Sequence, residues 1–324
     1  MSAKKFLLLQ SNHMAVYMLN DIDHLDNVVI YHRKRVFNNR FLNLLYNIHN
    51  SGRIQKYVEL PFKSIWNKIL FDKLLKSFTP DYIVFTTSWY SESLLRYFRK
   101  KCKTCKIIFR FSDMITNGLG DDLEAKLDVL RNQFDGVLVY SQEDAEKYGF
   151  TYHSVGYSPI RKDLLKPCKQ YDVVFIGAEK GRMEKIRQAY HQFVSVGLSC
   201  FFYVILVKEE DRRDDGIIYG DEVMPFCDYL SYELSAKCLF EIVQEGSTGR
   251  TFRMMEAIMY NKLLITNCAE MLNTDYYNPE YVQMFHDVSE IDPSFVADAP
   301  DAVDYHYQGD FSPVRVLDFI EKNW

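Results

Sequence analysis

The chain of 324 residues lacks the segments that would carry it into or across a membrane. No apolar run approaches the roughly 20 residues that a membrane-spanning helix needs. The apolar run from Phe6 to Leu9, which follows Lys4 and Lys5, is also far too short for a signal peptide. The seven cysteines are scattered, and an odd number of them is typical of reduced thiols in a reducing compartment. We therefore expect a cytoplasmic protein.

Several cofactor and metal motifs are missing as well. No Gly-x-Gly-x-x-Gly fingerprint follows any predicted strand, which argues against a nicotinamide-dependent oxidoreductase, and no P-loop is present. Cys102 and Cys105 form a Cys-x-x-Cys pair, but further zinc ligands at suitable spacing do not lie nearby. A thioredoxin-like context is also absent, so we interpret the pair as two thiols between a helix and a strand.

What the first half of the chain does have is an alternation of apolar strands and helical patterns. The length is sufficient for two α/β domains rather than one. Short continuous strands separated by helices predict a parallel sheet with helices on both faces. Strands are predicted at 6–10, 28–31, 81–86, 106–111 and 136–140, and helices at 64–77, 91–101, 121–133 and 142–148.

A second α/β series follows a break at 157–170, where Pro159, Pro167 and a run of charges predict a linker. Strands are predicted at 171–177, 201–207, 216–219, 238–243, 262–266 and 281–285, and helices at 183–196, 226–236, 250–260 and 312–323. The predicted domains are residues 1–160 and 161–310, with a C-terminal helical segment at 311–324. We expect functional residues just after strands, because ligands of such sheets bind beyond the carboxyl ends of the strands.

The most informative segment lies between the predicted strands at 238–243 and 262–266. Small residues in a loop let backbone N–H groups approach a diphosphate, the following helix N-terminus is partly positive, and arginines add charge. A carboxylate about one and a half turns into the helix can accept hydrogen bonds from ribose hydroxyls. An alternative is that the arginine and glutamate three residues apart form a helix pair worth only ~0.3–0.5 kcal/mol. The candidate residues are Gly246, Ser247, Arg250, Thr251, Arg253 and Glu256.

This segment resembles the sugar-nucleotide site of GT-B glycosyltransferases. The run from Gly249 to Ala257 is similar to the Gly-x-Thr-x-Arg-x-x-Glu-Ala run of the CgeB-like and glycosyltransferase group 1 families. The resemblance implies two Rossmann-like domains that face a cleft and a final helix that returns to the first domain. It also implies that Arg250, Arg253 or both contact the donor diphosphate and that Glu256 contacts the ribose.

The sequence departs from one familiar pattern of these enzymes. Retaining members have two glutamates separated by seven residues, whereas Glu245 and Glu256 are separated by ten. The stereochemical outcome therefore stays open. Asp21 and Asp23 have the letters of the metal-binding motif of GT-A enzymes but precede the second strand, so we expect no metal. Arginines, lysines and helix dipoles would stabilise the departing nucleoside diphosphate. No cofactor is expected, since the nucleotide-sugar is a substrate.

A second candidate set follows the first strand of the second domain. Gly177 and Gly181 permit a tight strand-to-helix turn, and Lys180 and Arg182 can neutralise a diphosphate. The resembling families also have a strand, a glycine and a basic residue here. The alternative is an ordinary exposed turn.

Two residues of the first domain are candidates for the general base. His13 follows the first predicted strand and Asp113 follows the fourth. An inverting glycosyltransferase needs a base that deprotonates the acceptor hydroxyl, and His or Asp suits that role. Some inverting GT-B families have a histidine after the first strand. The alternatives are a loop residue for His13 and a helix cap for Asp113.

Charge is distributed unevenly. Residues 1–160 carry a net charge of +6 and residues 161–324 carry −11. The stretch 31–76 contains ten basic residues interleaved with aromatics, against Glu59 and Asp72. Such a stretch can contact an anionic membrane or a lipid-linked acceptor, can be a solvated helix face, or can bind nucleic acid. No nucleic-acid motif supports the last interpretation.

The sequence therefore predicts a metal-independent GT-B glycosyltransferase. It would transfer a sugar from a nucleotide-sugar to a glycan or lipid-linked hydroxyl in surface polysaccharide synthesis (capsule or lipopolysaccharide), at the cytoplasmic face of the membrane. Two alternatives stay open. One is a non-catalytic GT-B scaffold that binds nucleotide or glycan, and the other is a nucleotide-sugar epimerase or pyruvyl transferase on the same architecture.

Overall fold

A computed structural model describes residues 3–10, 14–32, 37, 39–49, 63–116, 123–244, 246, 248–300 and 302–324. The chain divides into two compact units. The first comprises Met1–Ser158 together with Ser312–Trp324, and the second comprises Pro159–Phe311. Among the described residues, no helix is both long and apolar enough to cross a bilayer.

The first unit contains a parallel six-stranded sheet with the strand order β2-β1-β3-β4-β5-β6. Its strands are β1 (Phe6–Gln10), β2 (Val28–His32), β3 (Tyr82–Thr86), β4 (Lys106–Arg110), β5 (Gly136–Val139) and β6 (Thr151–Tyr152). Its helices are α1 (Ala15–Met18), α2 (Asn20–Asp23), α3 (Arg40–His49), α4 (Lys63–Ser77), α5 (Glu92–Lys101), α6 (Leu123–Gln133) and α7 (Gln142–Tyr148).

Both faces of this sheet are covered, which explains why its strands are continuous apolar runs. Odd-numbered residues such as Leu7 and Phe109 pack in a core with α5 and α6. Even-numbered residues such as Leu8 pack in a second core with residues of α12 (Pro313–Asn323), including Ile320. The expected return of the C-terminal helix to the first unit is thus confirmed.

The last helix fits closely against the rest of the first unit. The Ser312 hydroxyl donates a 2.6 Å hydrogen bond to Asp21, which ties the start of α12 to α2. A Cβ atom at Gly136 would collide with the indole of Trp324. Gly136 is therefore required by a close approach and not by a turn.

The second unit contains another parallel six-stranded sheet, with the strand order β12-β11-β10-β7-β8-β9. Its strands are β7 (Tyr171–Ala178), β8 (Cys200–Ile205), β9 (Ile218–Gly220), β10 (Ala236–Glu241), β11 (Leu263–Thr266) and β12 (Val282–Met284). Its helices are α8 (Met183–Ser195), α9 (Phe226–Ser235), α10 (Phe252–Met259) and α11 (Ser294–Ala297).

The structure differs from the sequence predictions in several details. Gly177 lies inside β7, because that strand continues to Ala178, so Gly177 does not form the turn. The helix predicted at 250–260 starts at Phe252, because the Thr251 hydroxyl accepts the N–H of Met254 as its N-cap. The elements that were not predicted are the helices α1, α2, α3 and α11 and the strand β6, and all of them except α3 are four residues long or shorter.

Candidate functional site

Three loops of the second unit leave the carboxyl edge of its sheet from neighbouring strands. They follow β7, β10 and β11, and β10 lies between the other two. In parallel α/β sheets this edge is where ligands bind. The candidate donor-binding residues of the second unit lie on the first two loops, at the end of β7 and in the first turn and a half of α10.

The loop after β7 forms its turn with Lys180 and Gly181. Both residues have positive φ angles, 41° and 76°, and both are exposed. The Glu179 carboxylate accepts the N–H of Gly181 at 2.7 Å and holds the turn. Lys180 is a non-glycine residue in a conformation that favours glycine, and such strained backbone occurs often at functional sites.

Arg182 lies at the end of this loop and is half-buried. Its guanidinium donates to the carbonyl oxygens of Ala178 at 2.7 Å and Glu179 at 3.2 Å, and also to Ile242. Burial, and then the nearby charge of Arg253, lower the pKa of Arg182. Arg182 therefore connects the loops after β7 and β10 and adds positive charge where they meet.

The loop after β10 is fixed at both ends. The N–H of Val243 donates to Asn267 at 2.6 Å, and the Cys268 thiol donates to the Gly249 carbonyl at 3.5 Å. Gly246 and Gly249 have φ angles of 74° and 96°. These left-handed conformations explain why the loop needs glycine. Ser247 and Glu245 lie outside the described residues.

Arg250 follows this loop directly and is only loosely paired. Its Nε lies 3.8 Å from a carboxylate oxygen of Glu270, which is too long for a hydrogen bond. That Nε is buried and has no hydrogen-bond partner among the described residues. The side chain is 25% exposed. The Nε of Arg250 can therefore donate to an anion without losing a hydrogen bond to any described residue.

Arg253, in contrast, is occupied inside the unit. Its guanidinium lies 3.0 Å from the Glu233 carboxylate and donates to the Ile176 carbonyl at 2.5 Å. It also lies over the ring of Phe175, 5.2 Å from the ring centroid. Burial alone would lower the pKa of Arg253, but the charge of Glu233 and other nearby acidic groups raise it overall. Arg253 braces β7 and α9 against α10.

Glu256 is also internal, one turn further along α10. It is fully buried, and the Tyr229 hydroxyl donates a 2.5 Å hydrogen bond to its carboxylate. Burial, followed by the charges of Glu233 and Glu256, raises the pKa of Tyr229 well above its usual value, so the hydroxyl keeps its proton. The carboxylate expected on a ribose thus contacts α9 in this structure.

Three members of this buried network are not among the residues predicted from the sequence. Glu233 is fully buried, one of its oxygens has no partner among the described residues, and burial raises its pKa. Tyr229 lies one turn before Glu233 on α9. Glu241, at the end of β10, accepts the Thr266 hydroxyl at 2.7 Å. The one signal in the sequence concerns Glu233, an acidic residue on the apolar side of the helix predicted at 226–236.

The two candidate bases belong to the first unit. Asp113 lies in the exposed loop after β4, and one carboxylate oxygen accepts the N–H of Met114 at 2.8 Å. His13 lies outside the described residues.

No group of three or more His, Cys, Asp or Glu in the described part of the chain has a metal-binding arrangement. Asp21 of the Asp-x-Asp pair is a partner of Ser312.

Solved structures match the chain over nearly its whole length. Among them is Anabaena HepE in complex with UDP and glucose, with a TM-score of 0.56 and 11% identity over 99% of both chains. Sucrose-phosphate synthase from Thermosynechococcus elongatus matches with a TM-score of 0.53 and 10% identity over 99% of this chain and 98% of its own. S. aureus MnaA bound to UDP has a TM-score of 0.50 and 10% identity over 99% and 96%.

No protein-family model and no curated protein sequence matches the chain. At about a tenth of identical residues, the structural likeness shows the fold alone. The chain consists of two Rossmann-like α/β domains of the GT-B type, which confirms the fold class predicted from the sequence.

Proposed function

We propose that the protein is a glycosyltransferase that binds the diphosphate of a nucleotide-sugar at the carboxyl edge of its second sheet. The observation that carries the proposal is Arg250, a mostly buried arginine whose Nε has no hydrogen-bond partner among the described residues and which follows a glycine loop on that edge. Lys180 and Arg182 add two more positive charges on the neighbouring loop. Structures of the same fold that contain UDP, those of HepE and MnaA, support a nucleotide ligand.

In this proposal the second unit stabilises the leaving group. The bond between the sugar and the diphosphate breaks, and negative charge develops on the diphosphate. Arg250, Lys180 and Arg182 would neutralise that charge, and the backbone N–H groups of the glycine loop would add hydrogen bonds. Arg253 would hold the site in shape from inside, through Glu233, instead of contacting the diphosphate itself.

The acceptor hydroxyl would attack the sugar carbon and lose its proton to a base of the first unit. Asp113, exposed after β4, and His13 are the candidates for that base if the reaction inverts. We assign the acceptor to the class of glycans or lipid-linked glycans of surface polysaccharide synthesis, on the resemblance of the Gly249–Ala257 run to CgeB-like enzymes.

Contact with the membrane face is part of the same proposal. Helices α3 and α4 expose apolar side chains among the basic residues of the stretch 31–76, and Phe41 is 65% exposed. Exposed apolar side chains on helices that also carry lysines and arginines favour contact with an anionic bilayer surface. The other exposed apolar residues on these helices are Leu42, Leu44, Ile48, Ile65 and Ile69.

A nucleotide screen tests the donor site. Dye-based thermal shifts would be measured with UDP, GDP, CDP, CMP, dTDP and NAD on the unmodified protein, Arg250→Gln and a control, Arg213→Gln. Arg213 pairs with Glu184 on the surface and is 58% exposed. A ligand at about 100 times its Kd stabilises by roughly 2.7 kcal/mol. We expect one nucleoside diphosphate to stabilise the unmodified protein and the control, and to stabilise Arg250→Gln much less.

Two results would contradict the proposal. One is the absence of a shift with any nucleotide at millimolar concentration, which favours a scaffold. The other is an unchanged shift in Arg250→Gln, which removes Arg250 from the site. Incubation of the matching nucleotide-sugar without an acceptor separates the remaining alternative, because an epimerase converts the sugar by itself and a transferase does not.

A further inference from the structure

Arg110, the last residue of β4, is a buried arginine that forms no ion pair with an acidic side chain in the described part of the chain. It is 8% exposed, and its Nη2 is buried without a hydrogen-bond partner among the described residues. Burial lowers the pKa of its guanidinium to about 10. The other buried arginines differ, because Arg187 lies 2.7 Å from Asp215 and Arg253 lies 3.0 Å from Glu233.

This arrangement is costly for the folded protein. A charge taken out of water without a partner destabilises the fold, whereas a well-packed apolar residue of similar size at the same place does not. The guanidinium keeps its charge at neutral pH, since its lowered pKa is still far above 7. An anion that binds the folded first unit would offset this cost.

Arg110 does not stand alone at the carboxyl edge of the first sheet. Thr86 is its register partner at the end of β3, and Gln10, at the end of β1, continues the register Leu8–Val84 by two residues. Gln10 and Thr86 are 9% and 8% exposed. Register partners point to the same face, so the three side chains form one polar row across adjacent strands. The row continues the face of Leu8 and its neighbours.

The row has the donors that a phosphoryl group needs. Parallel strands are about 4.8 Å apart, so the ends of β1 and β4 lie about 10 Å apart, a distance that an Arg and a Gln side chain can close around one phosphate. A guanidinium presents a fork of N–H groups that matches phosphate oxygens, and the amide of Gln10 adds donors. The Thr86 hydroxyl donates to the Leu9 carbonyl at 2.9 Å, which holds the middle of the row.

We propose that Arg110 and Gln10 bind a phosphoryl group at the carboxyl edge of the first sheet, and that this group belongs to the acceptor substrate. The assignment to the acceptor rests on the proposed function, whereas the anion site rests on Arg110 itself. Two sources share this chemistry, a prenyl diphosphate carrier and a soluble sugar phosphate.

The first experiment uses the tryptophans as a reporter of this unit. All three, Trp66, Trp89 and Trp324, lie in the first unit, so tryptophan fluorescence follows its melting. Melting would be measured with 0–10 mM inorganic phosphate and pyrophosphate for the unmodified protein, Arg110→Met, Gln10→Leu and the control Arg131→Met. Arg131 is a partly exposed arginine paired with Asp128.

We expect a saturable rise in melting temperature with phosphate in the unmodified protein and the control. The apparent Kd should be roughly 10- to 150-fold weaker in Arg110→Met, because charged hydrogen bonds are lost, and weaker to a smaller extent in Gln10→Leu. Without phosphate, Arg110→Met should melt at the same temperature as the unmodified protein or higher. An unchanged phosphate response in Arg110→Met overturns the proposal. Arg110→Met that melts well below the unmodified protein, or does not fold, overturns it too, because Arg110 then has a structural role.

The second experiment identifies the source and separates this site from the donor site. Glucose 6-phosphate and farnesyl diphosphate would be titrated, with citrate as a carboxylate control. Tighter binding of one phosphate compound than of inorganic phosphate, lost in Arg110→Met, supports the proposal and names the source. Equal binding of citrate overturns the phosphoryl assignment. Arg250→Gln should lose the nucleotide response and keep this phosphate response. The proposals for the two sites can therefore be refuted independently of each other.

Discussion

The buried pair of Arg253 and Glu233 allows a direct test of the distinction between a framework arginine and a ligand-binding arginine. Arg253→Met removes one partner of an ion pair in which the arginine side chain is 11% exposed and the glutamate side chain is fully buried. The substitution also removes the 2.5 Å hydrogen bond to the Ile176 carbonyl. Glu233 would lose the one cation that pairs with it among the described residues.

The expected loss of stability is large. Removal of one member of a buried pair typically costs 3–5 kcal/mol, because the remaining charge is buried and uncompensated. Replacement of both members by apolar residues of similar volume is often neutral or stabilising. We therefore expect Arg253→Met to lose about 3–5 kcal/mol and the double variant Arg253→Met/Glu233→Leu to recover most of that loss. Arg213→Met, at an exposed pair, should change stability by less than about 1 kcal/mol.

Urea unfolding followed by far-UV circular dichroism measures these differences, and tryptophan fluorescence follows the first unit separately. The reasoning is refuted if Arg253→Met lies within 1 kcal/mol of the unmodified protein, or if the double variant is no better than the single one. Nucleotide binding by the double variant is the functional readout. Nucleotide binding should persist, since Arg250 and not Arg253 is proposed to contact the diphosphate. If a stably folded double variant no longer binds nucleotide, Arg253 contacts the donor after all.

The pH dependence of the same variants checks the cause. Burial raises the pKa of Glu233 and the charge of Arg253 lowers it, so the removal of Arg253 raises it further. A carboxyl whose folded pKa lies above its unfolded value gives stability that is complete at low pH and is lost as the pH rises. The deficit of Arg253→Met should therefore shrink between pH 8 and pH 5. A deficit that is constant over this range would point to lost packing instead of an uncompensated charge.

Three further predictions concern other parts of the molecule. Thr251→Ala removes the N-cap of α10 and should cost about 1 kcal/mol in urea unfolding, whereas Thr251→Ser should cost much less. Gly136→Ala brings a methyl group against Trp324 and should cost about 1–3 kcal/mol by tryptophan-detected melting; an equal cost in a Trp324→Ala background would contradict the contact. The double variant Phe41→Ser/Ile69→Ser should co-sediment less than the unmodified protein with vesicles that contain phosphatidylglycerol. Co-sedimentation with pure phosphatidylcholine vesicles should not change. Unchanged co-sedimentation with the phosphatidylglycerol vesicles would exclude these residues of α3 and α4 as the membrane contact.

The fold could be predicted from the sequence because both sheets are buried on both faces. Runs such as 6–10 and 106–110 are apolar throughout, and parallel strands of this kind need helices between them, so the order of elements follows. Strands and helices of the second unit were recognised for the same reason. The bounds were predicted less closely. The continuation of β7 past Gly177 depends on pairing with β8. The start of α10 depends on a local cap, since the Thr251 hydroxyl accepts the N–H of Met254 three residues further on.

The candidate site was predictable only in its position along the chain. The sequence pattern predicts contact with the ligand equally for Arg250, Arg253 and Glu256. Spacing along a helix shows which residues share a face, but it does not show what packs against that face. The structure separates them, since Tyr229 and Glu233 of α9 lie against Arg253 and Glu256. Those partners are more than fifteen residues away in sequence, and nothing in the local pattern indicates them.

Four arginines that are buried or mostly buried differ in how their charge is used, and the difference connects the two proposals. Arg187 and Arg253 are buried and paired with carboxylates, so their charge is used within the unit. Among the described residues, Arg110 and Arg250 are the arginines with a buried donor atom that lacks a hydrogen-bond partner. Each lies at or just beyond the carboxyl end of a strand of its own parallel sheet, where such sheets bind ligands. An unpaired buried donor destabilises a fold unless something else binds it, so a bound anion, as proposed for each site, would account for these two arginines in both units.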